Sequence, residues 1–202
     1  HIQKIAGFFL AMRAFAAWLQ EQGHAVYYIR LDEPGNQHSI AANLQLLHEA
    51  TGARRLEYQL PDEYRLDKEL RQFTAEAGIS YGIYDTEHFY TTRDEAAFLF
   101  KGKKTWLMES FYRHMRKRHR VLMAGDEPVG DRWNFDAENR KAVPASMAFP
   151  EPPLPAHPAT ELVNWLRAQG VQWLGQWPAD GLLRWPITPE EARTLLRFFV
   201  AE

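Results

Sequence analysis

The stretch "RRLEYQLPDEYRLDKELRQFTAEAGISYGIYD", residues 54–85, decides the fold. It opens on "RRLEYQ" (54–59) and closes on "ISYGIYD" (79–85), two short runs carrying the aromatic and branched residues that suit a pleated strand. Between them, Pro61 and the acids Asp62 and Glu63 mark a helix start, where a missing amide costs nothing and carboxylates oppose the positive end of the helix dipole. Leu66, Leu70, Phe73 and Ala77 then recur at helical spacing and form the inner face. A strand, a helix and a strand in this order ask for parallel pairing, because the helix carries the chain back to the start of the next strand.

The pattern extends upstream. "HAVYYIRL" (24–31) reads as another strand, "DEPGN" (32–36) turns the chain, and residues 39–51 read as a helix with Ile40, Leu44 and Leu47 on one face. "HIQKIAGFFLAMRAFAAWLQEQG" (1–23) reads as a helix whose apolar face is Ile5, Phe8, Phe9, Met12, Phe15, Ala16 and Leu19. The alternation predicts an α/β fold, a Rossmann-like parallel sheet with helices on both faces. A chain of this class that opens inside a helix is expected to lack an upstream strand, and so to be a fragment. Ligands of such sheets bind outside the carboxyl ends of the strands. Those ends carry Asp32, Glu33 and Asn36, then Gln59, Asp62, Glu63, Tyr64 and Arg65, then Asp85, Glu87 and His88. Taken singly, each of these is an ordinary turn or cap residue.

The chain has 202 residues, 46% hydrophobic and 25% charged, which is enough apolar material for a sizeable core. A net charge of −2 means that nucleic-acid contact has to come from a local patch. The absence of Cys excludes disulfides, a thiol nucleophile, Cys-ligated zinc and an iron–sulfur cluster held within this chain, and a cytoplasmic setting is expected. No apolar run is expected to approach the length of a membrane span. Among nucleotide, metal and hydrolase signatures, none occurs; "KGKKT" has the lysines of a phosphate-binding loop, but Ala97 stands where its first glycine belongs.

Residues 92–120 read as helical in two pieces broken near Gly102. Residues 101–120 hold eight Lys and Arg against one acid, Glu109. Leu107, Met108, Phe111, Tyr112 and Met115 share a face, while Arg113, Arg116, Lys117 and Arg120 form a stripe on the other. Phosphate contact is the functional reading of that stripe, and a solvated helix face is the plain one. Residues 124–159 read as an irregular connection with six prolines from Pro144 to Pro158, in which Trp133 and Phe135 favour order over disorder. The tail reads as two helices. One buries Leu162, Trp165 and Leu166. The other is capped by Thr188 with Pro189 at its first position, and places Ala192, Leu195, Leu196 and Phe199 inside.

Two segments carry a family likeness. "MESFYRHMRKRHRVLM" followed by "GDRWNFDAENRK" resembles the pattern M-E-x-F-Y-R-x-M-R-x-x-x-x-x-L-M, then G-G-x-W-N-F-D-x-E-N-R. "HIQKIAGFFLAMRAFAAWL" resembles H-x-x-K-I-x-x-x-x-S-A-M-R-H-F-A. Both patterns are those of the bacterial deoxyribodipyrimidine photolyase-related family, the iron–sulfur bacterial cryptochromes and (6-4) photolyases. The likeness runs over nearly the whole chain, ending loosely at "RWPITPEEARTLLRFF". Three positions depart from it: Asp131 replaces the second glycine, Ala14 stands where His is usual, and Leu10 stands where Ser is common.

The resemblance implies an amino-terminal antenna domain that holds a ribityl lumazine. FAD, a 4Fe-4S cluster and the lesion pocket then belong to a carboxy-terminal part outside this chain. It also implies DNA as partner, with reduced FAD donating an electron in the light to a flipped-out pyrimidine photoproduct. The chain alone would carry no catalytic residue and no metal. The same likeness permits a blue-light photoreceptor without repair activity; a free-standing nucleotide or nucleic-acid module is the reading from another class.

On this frame His1, Lys4 and Phe8 of the first helix, with Glu63 and Tyr64, are the expected antenna contacts. Arg113, Arg116, Lys117 and Arg120 are the expected phosphate contacts. Trp133, Asn134, Asp136, Asn139 and Arg140 form an expected clasp between domains. The boundaries expected are an α/β antenna domain over 1–123, an ordered loop over 124–159 and the helical start of a flavin domain over 160–202.

Overall fold

The structure, a computed structural model, describes residues 1–136, 140 and 142–201. Its elements in chain order are α1 (Ile2–Glu21), α2 (Ile40–Thr51), β1 (Arg55–Gln59), α3 (Tyr64–Glu76), β2 (Ser80–Tyr84), α4 (Glu95–Leu99), α5 (Met108–His119), β3 (Met123–Ala124), β4 (Glu127–Pro128), β5 (His157–Pro158), α6 (Thr160–Ala168), β6 (Leu182–Leu183) and α7 (Pro189–Ala201). They form two compact units, one of His1–His38 with Ser146–Glu202 and one of Ser39–Ala145. In the first of these units α1 packs on α6.

The unit 39–145 is built on the stretch that decided the fold. β1 and β2 pair in parallel, with Arg55 opposite Ser80 and Gln59 opposite Tyr84, and α3 makes the crossover. The Glu63 carboxylate caps α3 by accepting from the Leu66 amide at 2.9 Å. Leu70 and Phe73 are buried on the inner face, as the spacing requires, together with Thr74. Glu69 of the same helix accepts from the Ala41 amide at 3.2 Å and so ties the start of α2 to α3. Ser39 caps α2, and Gly52, in the left-handed region at φ 64°, ends it. The basic region is helical in two pieces, α4 and α5, which flank Gly102. Helices with a parallel strand pair make this an α/β arrangement.

One expected strand does not form. Residues 24–31 have the composition of a strand but form no strand pair among the described residues. Propensity describes how a segment would sit in a sheet and supplies no neighbour for it. The far end of this segment is held by side chains instead: the Trp165 indole N–H donates to Asp32 Oδ2 at 2.8 Å, and the Arg30 guanidinium lies over the same indole. β3 with β4, and β5 with β6, are two-residue antiparallel pairs; the first closes a turn, and the second joins the residues on either side of α6 and the loop after it.

The core of the other unit is Ile2 and Ala6 of α1 against Ala159, Leu162, Val163 and Leu166, with Phe9, Trp165 and Trp173 packed around it. Ile2 and Leu166 are fully buried. The face of α1 that meets α6 is therefore narrower than the apolar pattern. Phe8, Met12 and Phe15, expected inside, are exposed. α1 is also long and apolar enough, by length and composition alone, to cross a membrane, which corrects the expectation that no run approaches that length. In α7 the Thr188 hydroxyl accepts from the Glu191 amide, and the Glu191 carboxylate accepts from the Thr188 amide, a reciprocal cap. Leu196 and Phe199, expected inside, are exposed. An amphipathic pattern fixes which face a helix has to offer, not whether a neighbour covers it.

The departure from the family pattern at position 131 has a backbone consequence. Gly130 (φ 80°) and Asp131 (φ 56°) are both left-handed. A Cβ on Gly130 would stand 3.3 Å from the Phe135 ring. Asp131 holds a conformation that glycine adopts without strain. Asp131→Gly is expected to raise the unfolding free energy by about 0.5–1 kcal/mol. Urea denaturation of the two chains measures it, and an unchanged midpoint would show that the aspartate carries no strain.

Candidate functional site

Three places gather residues of functional type. The first is the carboxyl end of the strand pair. Leu60, Asp62, Tyr64, Asp67, Asp85 and Arg93 line a cavity of about 420 Å³ there. Asp67 pairs with Arg71 at 3.0 Å and Arg93 at 2.7 Å, and Arg93 also donates to the Pro61 carbonyl. Asp62 Oδ2 lies 2.8 Å from His88 Nδ1. Of the edge residues read from sequence, Asp62, Tyr64 and Asp85 reach this cavity. Tyr64 is exposed. Glu63 is not free to meet a ligand: Arg65, pairing at 2.8 Å, and then the Leu66 amide hold its carboxyl below the usual glutamate range. On β1, Glu57 is likewise held low by Arg55 and by the Tyr84 hydroxyl, which donates to it at 3.1 Å. These carboxylates are committed anions, suited to orienting cations and amides rather than to proton transfer.

The second place is the start of α1. Lys4 Nζ lies 5.8 Å from the centroid of the Phe8 ring, and the ring is 60% exposed. The His1 imidazole packs over Gly175, where a Cβ would collide with it. His1, Lys4 and Phe8 thus share one unit, and Glu63 and Tyr64 belong to the other. An exposed aromatic ring with an ammonium over it fits a flat heterocycle bearing polar ring oxygens.

The third place is α5 and the loop after β4. Trp133 stands among three cations: Arg113, Arg116 and Lys117 lie 5.2, 5.2 and 5.6 Å from its ring. The stripe read as facing away from the core is therefore folded over by the loop. Arg116 is 6% exposed. Its guanidinium donates to the carbonyls of Val121 and Leu122 and to the Tyr112 hydroxyl. This corrects the expectation that Arg116 faces a phosphate; its donors are spent on the turn after α5. Arg113 is exposed and pairs with Glu109 at 2.8 Å, Lys117 is exposed, and Arg120, at φ 53°, ends α5 as an exposed left-handed cap.

Of the clasp residues, Asn134 Oδ1 accepts from the Asp136 amide at 2.7 Å, and Arg140 is exposed. Asn139 lies outside the described residues. Tyr90, Phe111, Tyr112, Trp133 and Phe135 line a cavity of about 640 Å³ beside this loop. The spacing of Arg116 within a basic run distinguished it in no way from its neighbours. Its burial depends on Trp133 and the two carbonyls, which come from beyond the helix. Among the described residues no group of three or more His, Asp or Glu comes together to hold a metal.

The family model described as "Deoxyribodipyrimidine photo-lyase-related protein" matches residues 1–180. A (6-4) photolyase of Agrobacterium fabrum (strain C58 / ATCC 33970) is 36% identical over 154 residues, which are 76% of this chain and 30% of that protein. An uncharacterized protein of Acanthamoeba polyphaga mimivirus is 25% identical over 138 residues, 66% of this chain and 68% of that protein. The chain therefore spans under a third of the length of the photolyase it resembles.

Removing the buried guanidinium should separate structure from surface. Arg116→Ala is expected to cost about 2–3 kcal/mol, because two carbonyls and a hydroxyl lose a charged donor. Arg113→Ala is expected to cost less than about 1 kcal/mol, as for an exposed ion pair. Chemical denaturation of both variants decides the matter, and equal losses would contradict the burial argument.

Proposed function

The chain belongs to the deoxyribodipyrimidine photo-lyase-related protein family, and we propose that it forms the amino-terminal, antenna-bearing and DNA-contacting part of a light-dependent DNA-repair flavoprotein. In this reading β1 and β2 are a piece of a Rossmann-like parallel sheet. The 202 residues contain no Cys. The FAD chemistry and the cysteines of a 4Fe-4S cluster then reside elsewhere in such a protein.

The observation that carries the antenna reading is the Lys4–Phe8 pair. Phe8 presents an exposed ring at a position where a helix of this composition would ordinarily bury it, with the Lys4 ammonium over it. Exposed apolar area of this kind is retained where something covers it. A ribityl lumazine has the required shape, a flat ring with carbonyl oxygens and a polyol tail. Phe8 would stack on the ring and Lys4 would donate to a ring oxygen. When bound, the lumazine supplies near-ultraviolet absorption. Titrating the chain with ribityl lumazine and following the ligand's fluorescence anisotropy tests the idea. Saturable binding that weakens about tenfold in Phe8→Ala is expected, given the worth of one aromatic contact with an adjacent cation. No binding, or equal binding by the variant, would sink it.

DNA contact is proposed for the exposed cations of α5, Arg113, Lys117 and Arg120, with Arg116 bracing the turn beneath them. Reversing Arg113 and Lys117 to Glu in the full-length protein is expected to lower the slope of log affinity against log salt by about two for duplex DNA. An unchanged slope would place the DNA surface elsewhere.

A further inference from the structure

A cleft outside the three places described lies in the unit of α1 and α6, around Trp165. Arg13 of α1 and Arg30 bring their guanidinium carbons to 5.6 and 5.7 Å from the Trp165 ring. Phe9 meets the same indole edge-on at 5.8 Å. Arg13, Tyr28, Arg30, Glu161 and Trp165 line a cavity of about 490 Å³. A second cavity of about 230 Å³ adjoins it, sharing Arg13, Tyr28, Arg30 and Trp165 and adding Phe9 and Met12.

The two arginines differ in what holds them. Arg30 donates through Nε and Nη2 to Asp32 at 3.1 and 3.2 Å, and Asp32 also accepts the Trp165 indole N–H. This chain of contacts locks the Arg30 fork through Nε and Nη2 and leaves Nη1 without a hydrogen-bond partner among the described residues. Arg13 has no ion pair among the described residues; its one contact is the face of Trp165. Glu161 lines the cavity but pairs with neither arginine among the described residues. Two guanidiniums thus lie over one ring and line one cavity, with one carboxylate engaged by Arg30 alone and one, Glu161, paired with neither. Bringing like charges together in a cavity is unfavourable unless an anion joins them. The planar fork of arginine matches phosphate oxygens two at a time.

We infer that the Trp165 cleft is a phosphate-binding site, in which Arg13 and Arg30 donate to the phosphate oxygens, Tyr28, which lines the same cavity, supplies a hydroxyl as third donor, and Glu161 accepts from a hydroxyl elsewhere on the ligand. The phosphate belongs either to a small phosphorylated molecule or to a nucleic-acid backbone. Neither Lys4 nor Phe8 takes part, so the inference stands or falls separately from the antenna reading.

The test is calorimetric titration of the 202-residue chain with inorganic phosphate, with adenosine monophosphate and with a short single-stranded oligonucleotide. Binding of phosphate is expected, with an affinity that falls about tenfold or more in Arg13→Gln. Arg13 is exposed and makes no hydrogen bond among the described residues, so this variant should fold, which its circular dichroism verifies. Arg13→Lys, which keeps the charge and loses the fork, should bind with intermediate affinity and supplies the comparison should the glutamine variant misfold. Tighter binding of the monophosphate than of the oligonucleotide points to a small ligand. The reverse order, with strong salt dependence, points to a backbone. Failure of all three probes to bind, or equal binding by wild type and Arg13 variants, overturns the site.

Discussion

The apolar contact of Ile2 and Ala6 with Leu162, Val163 and Leu166 is the constraint on which the rest of the structure depends. It joins the first helix of the chain to a helix some 160 residues later. Once those two ends are one body, the intervening residues 39–145 have to satisfy their own backbone and bury their own apolar faces. They do so around a parallel pair of strands and the crossover helix between them. Residues 24–31, whose composition suits a sheet, belong to the unit that has α1 and α6 and join no strand pair among the described residues.

Arginine does much of the organising in both units, by a shared device. A guanidinium lies over an indole and spends its donors on nearby oxygens: Arg116 over Trp133 with the carbonyls of Val121 and Leu122, Arg30 over Trp165 with Asp32. The planar cation is weakly hydrated and stacks on an aromatic face at little desolvation cost, so it can be buried where a lysine would be expelled. A basic patch in this protein is for that reason part scaffold and part surface. Arg116 and Arg30 set geometry, while Arg113, Lys117 and Arg13 are exposed and bring their charge over the same rings.

The partners proposed here are flat or phosphorylated, and the local chemistry disagrees with a simple picture of where they would bind. The edge residues chosen from the sheet rule are mostly engaged with one another, as the Glu63 cap and the Asp62–His88 contact show. The open aromatic and cationic groups lie on helix faces instead, at Phe8, on α5 and beside Trp165. The rule for ligands at strand ends presumes a wide sheet with a crevice between its halves. A two-stranded pair has no such crevice.

What the sequence by itself determined was local and periodic. The helices over 2–21, 40–51, 64–76 and 189–201, the strands over 55–59 and 80–84, the Glu63 helix start, the Thr188 cap and the break near Gly102 all follow from spacing and cap chemistry, which act between residues a few positions apart. The motif around Trp133 also carried the family in its side chains alone. What only the tertiary structure decided was which faces find a partner. Phe8, Met12, Leu196 and Phe199 have the spacing of core residues and lie open, and Arg116 has the spacing of a surface residue and lies buried. Burial is set by segments distant in sequence, here α6 for α1 and the Trp133 loop for α5, and no pattern within one helix encodes the arrival of another.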